Sequence, residues 1–321
     1  MRASVLGFAI VLVFGAACSE NPTAPPFDQS RLSADLAAVR DVLAAPVVRS
    51  VGYLFFGTPL PRPAAGEPLI PDSLLGKTLT WSCATHSYAV SAETGAPANG
   101  VRLRLYQLAY NGAIECPTTV IGQVDVLEIQ AEGAARAVRM TATGMNGGDP
   151  LVDFIVARGL TDPFGTSTAN GFVSDGHERV GFQSTSGYNS TTHASVSTTQ
   201  VDDSARDFYE TLDESAQNGV DTYSDAVDLT LRNADHTLEL TGTANWFNTY
   251  RSWDEVVTVD RLPFAKVGGQ MVPGGDQPTI TPAGLTSEQR QLVLDVVNTP
   301  AVLGTGLGNV LAIARRLVDT P

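Results

Sequence analysis

The strongest constraint on the fold of this chain is a two-residue alternation that recurs, punctuated by turns, across residues 77–266. Its clearest instance is the pair of segments 222–232 and 236–246. There Val227, Leu229 and Leu231 oppose Leu238 and Leu240 across a turn at Asn233-Ala234-Asp235, while Asp228, Thr230 and Arg232 face the other way. A period of two places alternate side chains on opposite faces of a strand, so each such segment reads as a strand with one face to bury. The same alternation runs through Leu79, Trp81 and Cys83, and through Val101, Leu103 and Leu105. The turn-rich stretch 93–100 between them predicts a hairpin with a long loop.

More hairpins follow. Segments 122–129 and 137–143 are joined at Glu132-Gly133, and 145–150 is a turn before a strand at 151–160 with Val152, Phe154 and Val156 on one side. Asp175-Gly176 is a tight-turn dipeptide between 171–174 and 177–183. The Ser/Thr-rich stretch 184–199 reads either as a polar loop or as an exposed edge strand. A last strand spans 253–261. With no helix between them, about ten to twelve strands at hairpin spacing predict a mainly β domain over 77–267, built as an antiparallel meander. A sheet so wide must curl into a half-barrel, split into a sandwich or close.

Helical periods appear only at the flanks. Leu32, Leu36, Val39 and Leu43 share one face of an N-terminal helix over 28–45, with Asp28 or Ser30 as cap and Pro46 just past its end. The proline-rich stretch 46–71 reads as an irregular connection with Tyr53-Leu54-Phe55-Phe56 as a buried plug, and Ile70-Pro71-Asp72-Ser73 as the start of one helical turn. Residues 268–282 read as a Gly/Pro linker. Two C-terminal helices follow, within 268–321. The first opens on the capping box Thr286-Ser287-Glu288-Gln289 and the second on Thr299-Pro300. The second carries no charge from Pro300 to Ala314, which predicts burial against the sheet, with Gly304 and Gly308 allowing close packing.

The composition excludes some functions. Acids outnumber bases 34 to 20, for a net charge of −14, so nucleic acid would be repelled. His86, His177, His193 and His236 are isolated, without metal-ligand spacing, and no nucleophile elbow is present. Gly304-Thr305-Gly306-Leu307-Gly308 does not follow a strand, so a phosphate loop fails on context. The acidic stretch 202–228 is the remaining candidate for calcium or for paired-carboxylate hydrolysis, and the competing reading is a solvated loop and strand edge. The expectation is a protein that is not an enzyme, with no cofactor and no catalytic or metal-binding residue.

The N-terminus predicts where the protein goes. Arg2, the apolar run 5–14 and small Gly15-Ala16-Ala17 before Cys18 have the order of a secretory signal over 1–17. The segment resembles the lipobox of bacterial lipoproteins, with Gly15 where that family usually has Leu. The resemblance implies lipidation of Cys18, a Pro-rich tether over 18–27 (Pro22, Pro25, Pro26) and a place in the cell envelope. Ser19, where an Asp would signal inner-membrane retention, implies the outer membrane if the source has one. The other reading is an ordinary signal that leaves a soluble secreted or periplasmic protein. In an exported chain Cys83 and Cys116 read as a disulfide, against two buried thiols or a metal pair.

In element order, with an N-terminal helix (28–76 with its irregular segment), a long meander and terminal helices, the body resembles the half-barrel carriers of periplasmic lipoprotein-sorting and lipid-transfer families. That resemblance implies a non-catalytic binding module for an acyl chain or similar apolar ligand, in a cavity lined by inward-facing strand residues. The alternative is a structural lipoprotein that meets an envelope protein partner and has no small-molecule ligand. Cys18→Ala should abolish acyl labelling and release the protein from membranes, because a di- or triacylated cysteine holds firmly at about 0.8 kcal/mol per buried methylene. Unchanged membrane association in fractionated cells would refute the anchor.

Overall fold

A computed structural model describes residues 28–57, 60, 63–64, 67–131, 133–159, 166–189, 192, 194–218, 222–233, 236–247, 250–271 and 279–318. Cys18 and the expected signal segment 1–17 lie outside them, as do His193 and Ala234-Asp235, where a turn is expected. The described chain is mainly β, with one open sheet of fifteen strands and helices at both ends.

The strands run β1 (Lys77–Ser82), β2 (Ser87–Val90), β3 (Gly100–Tyr106), β4 (Val120–Ile129) and β5 (Ala134–Gly144). Next come β6 (Val152–Gly159), β7 (Ser167–Ser174), β8 (Arg179–Asn189), β9 (Ala194–Asp203) and β10 (Phe208–Asn218). The last are β11 (Thr222–Asn233), β12 (His236–Phe247), β13 (Tyr250–Val259), β14 (Leu262–Met271) and β15 (Thr279–Thr281). From β3 onward each strand pairs antiparallel with the next, so the expected meander is present and its strand count is larger than expected. The register at the clearest hairpin is Leu229 to Leu240 and Leu231 to Leu238, as the alternation requires.

Three local expectations change. β3 does not form a hairpin with the first strands; β1 and β2 pair with each other, and the 91–99 connection brings β3 to the far side of β1, parallel to it. The stretch 184–199 is neither a loop nor an edge, because β8 and β9 occupy most of it in the middle of the sheet. The supposed linker after 267 still holds strand, as β14 runs to Met271 and β15 pairs with it.

The helices also differ. α1 (Gln29–Ala44) starts where expected, with the Asp28 carboxylate accepting from the Arg31 N–H at 2.9 Å. Pro46 does not lead into irregular chain but opens α2 (Pro46–Gly57), since proline at a first helical position loses no hydrogen bond. One turn of 3-10 helix follows at Asp72–Leu74. At the C-terminus the two expected helices are one, α3 (Ser287–Val318), with Pro300 inside it. Its start is the expected capping box, Thr286 Oγ1 accepting from the Gln289 N–H and Gln289 Oε1 from the Thr286 N–H. An internal proline costs about 3 kcal/mol. Burial on both sides of it, of Leu292, Val293 and Val296 before and Leu303, Val310 and Leu311 after, outweighs that cost at roughly 1.5–3 kcal/mol per large side chain. By length and composition alone α3 could cross a membrane, but these residues pack into the core of the body.

All three helices lie on one face of the sheet. α2 meets β3 to β5, α3 meets β5 to β7, and α1 meets β7 and β8. Laid flat at about 4.8 Å per strand, a sheet this wide would be far broader than three helices. Yet inward residues from β3 through β14 join the helices in one apolar cluster, so the sheet curls around them. Arg206 latches α1 in place, pairing with Asp35 at 3.1 Å and with Glu178 in the turn just before β8.

Cys83 and Cys116 are bonded, with Cα atoms 6.0 Å apart and a sequence separation of 33. The bridge ties the β1–β2 turn to the loop that precedes β4. Replacing both cysteines by Ala should lower the unfolding free energy by roughly 3–4 kcal/mol in the chain-entropy model, as measured by urea denaturation. An unchanged denaturation midpoint would contradict that contribution.

Candidate functional site

Two small residues set how closely the helices pack. A Cβ on Gly306 would stand 2.9 Å from Leu43 Cδ1, and one on Gly52 would stand 3.1 Å from Asn309 Cβ. Gly304 and Gly308, expected to do this work, have nothing within 4 Å of a built Cβ. The glycine turned toward α1 is the one between them, which a helical period does not distinguish without knowing where α1 lies. Around these contacts α1, α2 and α3 leave a groove of about 510 Å³. Leu43, Val48, Val302 and Val310 supply apolar walls, and Arg40, Arg49, Asn298 and Asn309 bring polar groups to it. Neither arginine forms an ion pair among the described residues. The groove is lined by helix residues throughout, not by the inward strand residues expected from element order, because those pack directly against the helices.

Beneath the groove, between α1, α3 and the sheet, lies a smaller cavity of about 70 Å³. Arg40, Asn298 and Val302 line both spaces and so form a shared wall. Glu210 of β10 borders the smaller cavity and is fully buried, and neither carboxylate oxygen has a hydrogen-bond partner. The register makes its position unusual. One inward row crosses eleven strands through Val101, Val126, Met140, Phe154, Gly171, Phe182, Val201, Glu210, Leu231, Leu238 and Val259. Every other position in it is apolar or glycine. Loss of water around the carboxylate raises the Glu210 pKa to about 8. Further along the same strand, burial and the neighbouring Asp225 push Glu214 up to about 7, opposed by a hydrogen bond from Ser197.

Most of the acidic stretch is strand rather than loop. It holds the end of β9, a largely exposed turn at 204–207, β10 and the start of β11, with Glu210 and Glu214 turned inward and Asp213 and Asp228 outward and exposed. Among the described residues no group of three or more His, Cys, Asp or Glu is arranged to hold a metal ion. The structure also separates the described histidines. His236 shares a 2.8 Å hydrogen bond with Asp260, His177 sits in the exposed turn after Asp175, and His86 borders a pocket of about 200 Å³ with Tyr53, Trp81 and Tyr88 beside the disulfide loop. Nothing in the sequence singles out Arg40, and Glu210 stands there only as one acid among those of the candidate stretch 202–228. The available signal for Glu210 was an acid at an inward position of the alternation Phe208, Glu210, Leu212, Glu214, Ala216.

A comparison with protein families, with curated proteins and with solved structures finds no match to this chain.

The raised pKa has a defined consequence for stability. Between the ordinary glutamate value of 4.5 and about 8, the folded chain keeps a proton that the unfolded chain releases. Stability contributed by neutral Glu210 is therefore complete below pH 4.5 and is lost as pH rises towards 8. Glu210→Leu should remove that loss and stabilise the protein at pH 8 by roughly 1–3 kcal/mol, with a smaller gain at pH 5. Parallel denaturation curves across pH for variant and parent would contradict the burial of an unpartnered carboxyl.

Proposed function

We propose that this protein is an exported lipoprotein, tethered to the cell envelope through Cys18, whose body is a non-catalytic binding module for an acyl chain. The observation that carries the binding reading is the groove between the three helices. Its volume of about 510 Å³ falls within the range of about 300–1,000 Å³ usual for small-molecule sites, and the surface it exposes is mainly apolar. Arg40 and Arg49, without ion-pair partners among the described residues, favour a ligand that carries negative charge. The anchoring part rests on the lipobox-like segment and its Pro-rich tether, and Ser19 favours the outer membrane. This reading assigns no reaction and no cofactor to the protein. It places the ligand between helices, where the walls belong to elements that can shift without breaking the sheet's hydrogen bonds.

Displacement of a fluorescent fatty acid from the soluble body, residues 28–321, tests the groove, with native mass spectrometry of the same preparation to detect co-purified lipid. Ala301→Trp and Thr305→Trp place bulk in the groove from exposed positions of α3, and should weaken binding about tenfold or more while leaving the melting temperature close to that of the parent. Equal affinity in both variants would remove the groove as the site. Absence of probe binding together with absence of lipid mass across several preparations would refute the carrier and leave an envelope protein without a small-molecule ligand.

A further inference from the structure

The apolar row across the sheet is broken once, by Glu210, and nothing in the fold accounts for the break. A lone carboxyl in such a row costs stability, has no hydrogen-bond partner and closes no ion pair. Leucine or valine at that place would pack with Val201 and Leu231, its neighbours in register. Groups that cost stability without a structural return are concentrated at sites of function. Here the cost falls beside a cavity whose wall is shared with the acyl-chain groove through Arg40, Asn298 and Val302.

We propose that the cavity bordered by Glu210 is the head-group subsite of the groove and takes the carboxylate of a single-chain fatty acid, whose chain lies between α1, α2 and α3. The inference rests on the reading of the groove as an acyl-chain site. Its size suits a small head: about 70 Å³ has room for a group of a few heavy atoms such as a carboxylate. Its chemistry sets the sign. Arg40 on the shared wall supplies the opposite charge, and Asn298 beside it carries an amide donor. Glu210, held protonated near neutral pH by burial, donates its O–H to the anionic head and thereby gains the partner that the fold does not give it.

The charged groups around Glu210 are few. Arg40 approaches from α1 and Asp295 from α3, the latter already accepting from Ser33 and Gln291. Across β9 the diagonal neighbour is Asp203, engaged by Arg206, and along β10 beyond Leu212 lies Glu214, bonded by Ser197. Ionisation of Glu210 therefore adds a negative charge facing the bound head, with Arg40 the one cation among the described residues of the cavity wall. Affinity for a fatty acid should fall as pH rises through about 8.

The test uses the full mature chain carrying Cys18→Ala, so that no anchor lipid competes. Dodecanoate, dodecanol and dodecyltrimethylammonium serve as probes, each displacing a fluorescent fatty acid at about pH 6.5 and about pH 9.5. Dodecanoate should bind the parent chain at the lower pH and lose about tenfold or more in affinity at the higher. Glu210→Gln, which imitates the protonated carboxyl, should abolish that pH dependence. Glu210→Leu, which has no donor, should weaken dodecanoate binding about tenfold at the lower pH and leave dodecanol much less affected. Equal dodecanoate affinity and pH profile in the parent chain and Glu210→Leu would overturn the subsite while leaving the groove in place. Preference for dodecyltrimethylammonium, rising with pH, would overturn it by making Glu210 the counter-charge of a cationic head. Failure of all three probes to bind the parent chain would overturn the groove reading and the subsite with it.

Discussion

The structure depends on covering one apolar face of a very wide sheet. Fifteen strands present rows of Val, Leu, Phe and Met on the inward side, and among the described residues no second sheet meets them. The helices have to fill that space, and the sheet has to curl until its inward rows reach them. This requirement explains why α3 is continuous. Breaking it at Pro300 would relieve a local penalty, but would uncouple two apolar faces that lie along the same curved surface. Thr299, just before the proline, turns its hydroxyl back onto the helix with a 2.8 Å hydrogen bond to the Asp295 carbonyl.

The same requirement creates the proposed site. Three cylinders packed inside a curved sheet cannot fill it completely. Gly52 and Gly306 draw the helices together at two points, and the groove lies around those contacts. Arg40 stands on its wall, where the groove adjoins the cavity beside Glu210. The carboxyl is thus an exception in two respects, an acid in an apolar row and a polar group next to a ligand-sized space. The aromatic pocket beside the disulfide is independent of it and is held by covalent closure of the loop after β3.

Where the alternation was unbroken, the strands were legible. β11 and β12 have the expected register because Leu229, Leu231, Leu238 and Leu240 admit only one pairing that buries all four. β10 was not legible, because Glu210 and Glu214 occupy two of its inward positions and make an inward face resemble a charged loop. The β13–β14 hairpin was hidden by its turn. Asp260 and Arg261 both adopt positive φ, at 49° and 68°, where glycine or asparagine is the usual signal. The Asp260 carboxylate supports that conformation by accepting from the Thr237 N–H at 2.9 Å and bonding His236, and neither partner is near in sequence. α2 is hidden because a proline just past one helix marks an end as readily as a beginning, and here Pro46 begins the next.

By itself the sequence determined the local elements: a period of two with turn residues, the capping box at Thr286, and a cysteine pair able to close. It also carries the lipobox-like segment around Cys18, on which the anchoring proposal stands. These are encoded within a few residues, or in the chemistry of one residue type, and need no distant partner to be recognised. Only the tertiary structure decided which glycine lets the helices approach, that β1 lies parallel to β3, and that α3 passes unbroken through a proline. It also decided that Glu210 is buried at a cavity that Arg40 also lines, rather than solvated. Each of those outcomes depends on what a residue meets across the fold, since burial and the electrostatic cost of a charge are properties of an environment assembled from segments more than a hundred residues apart.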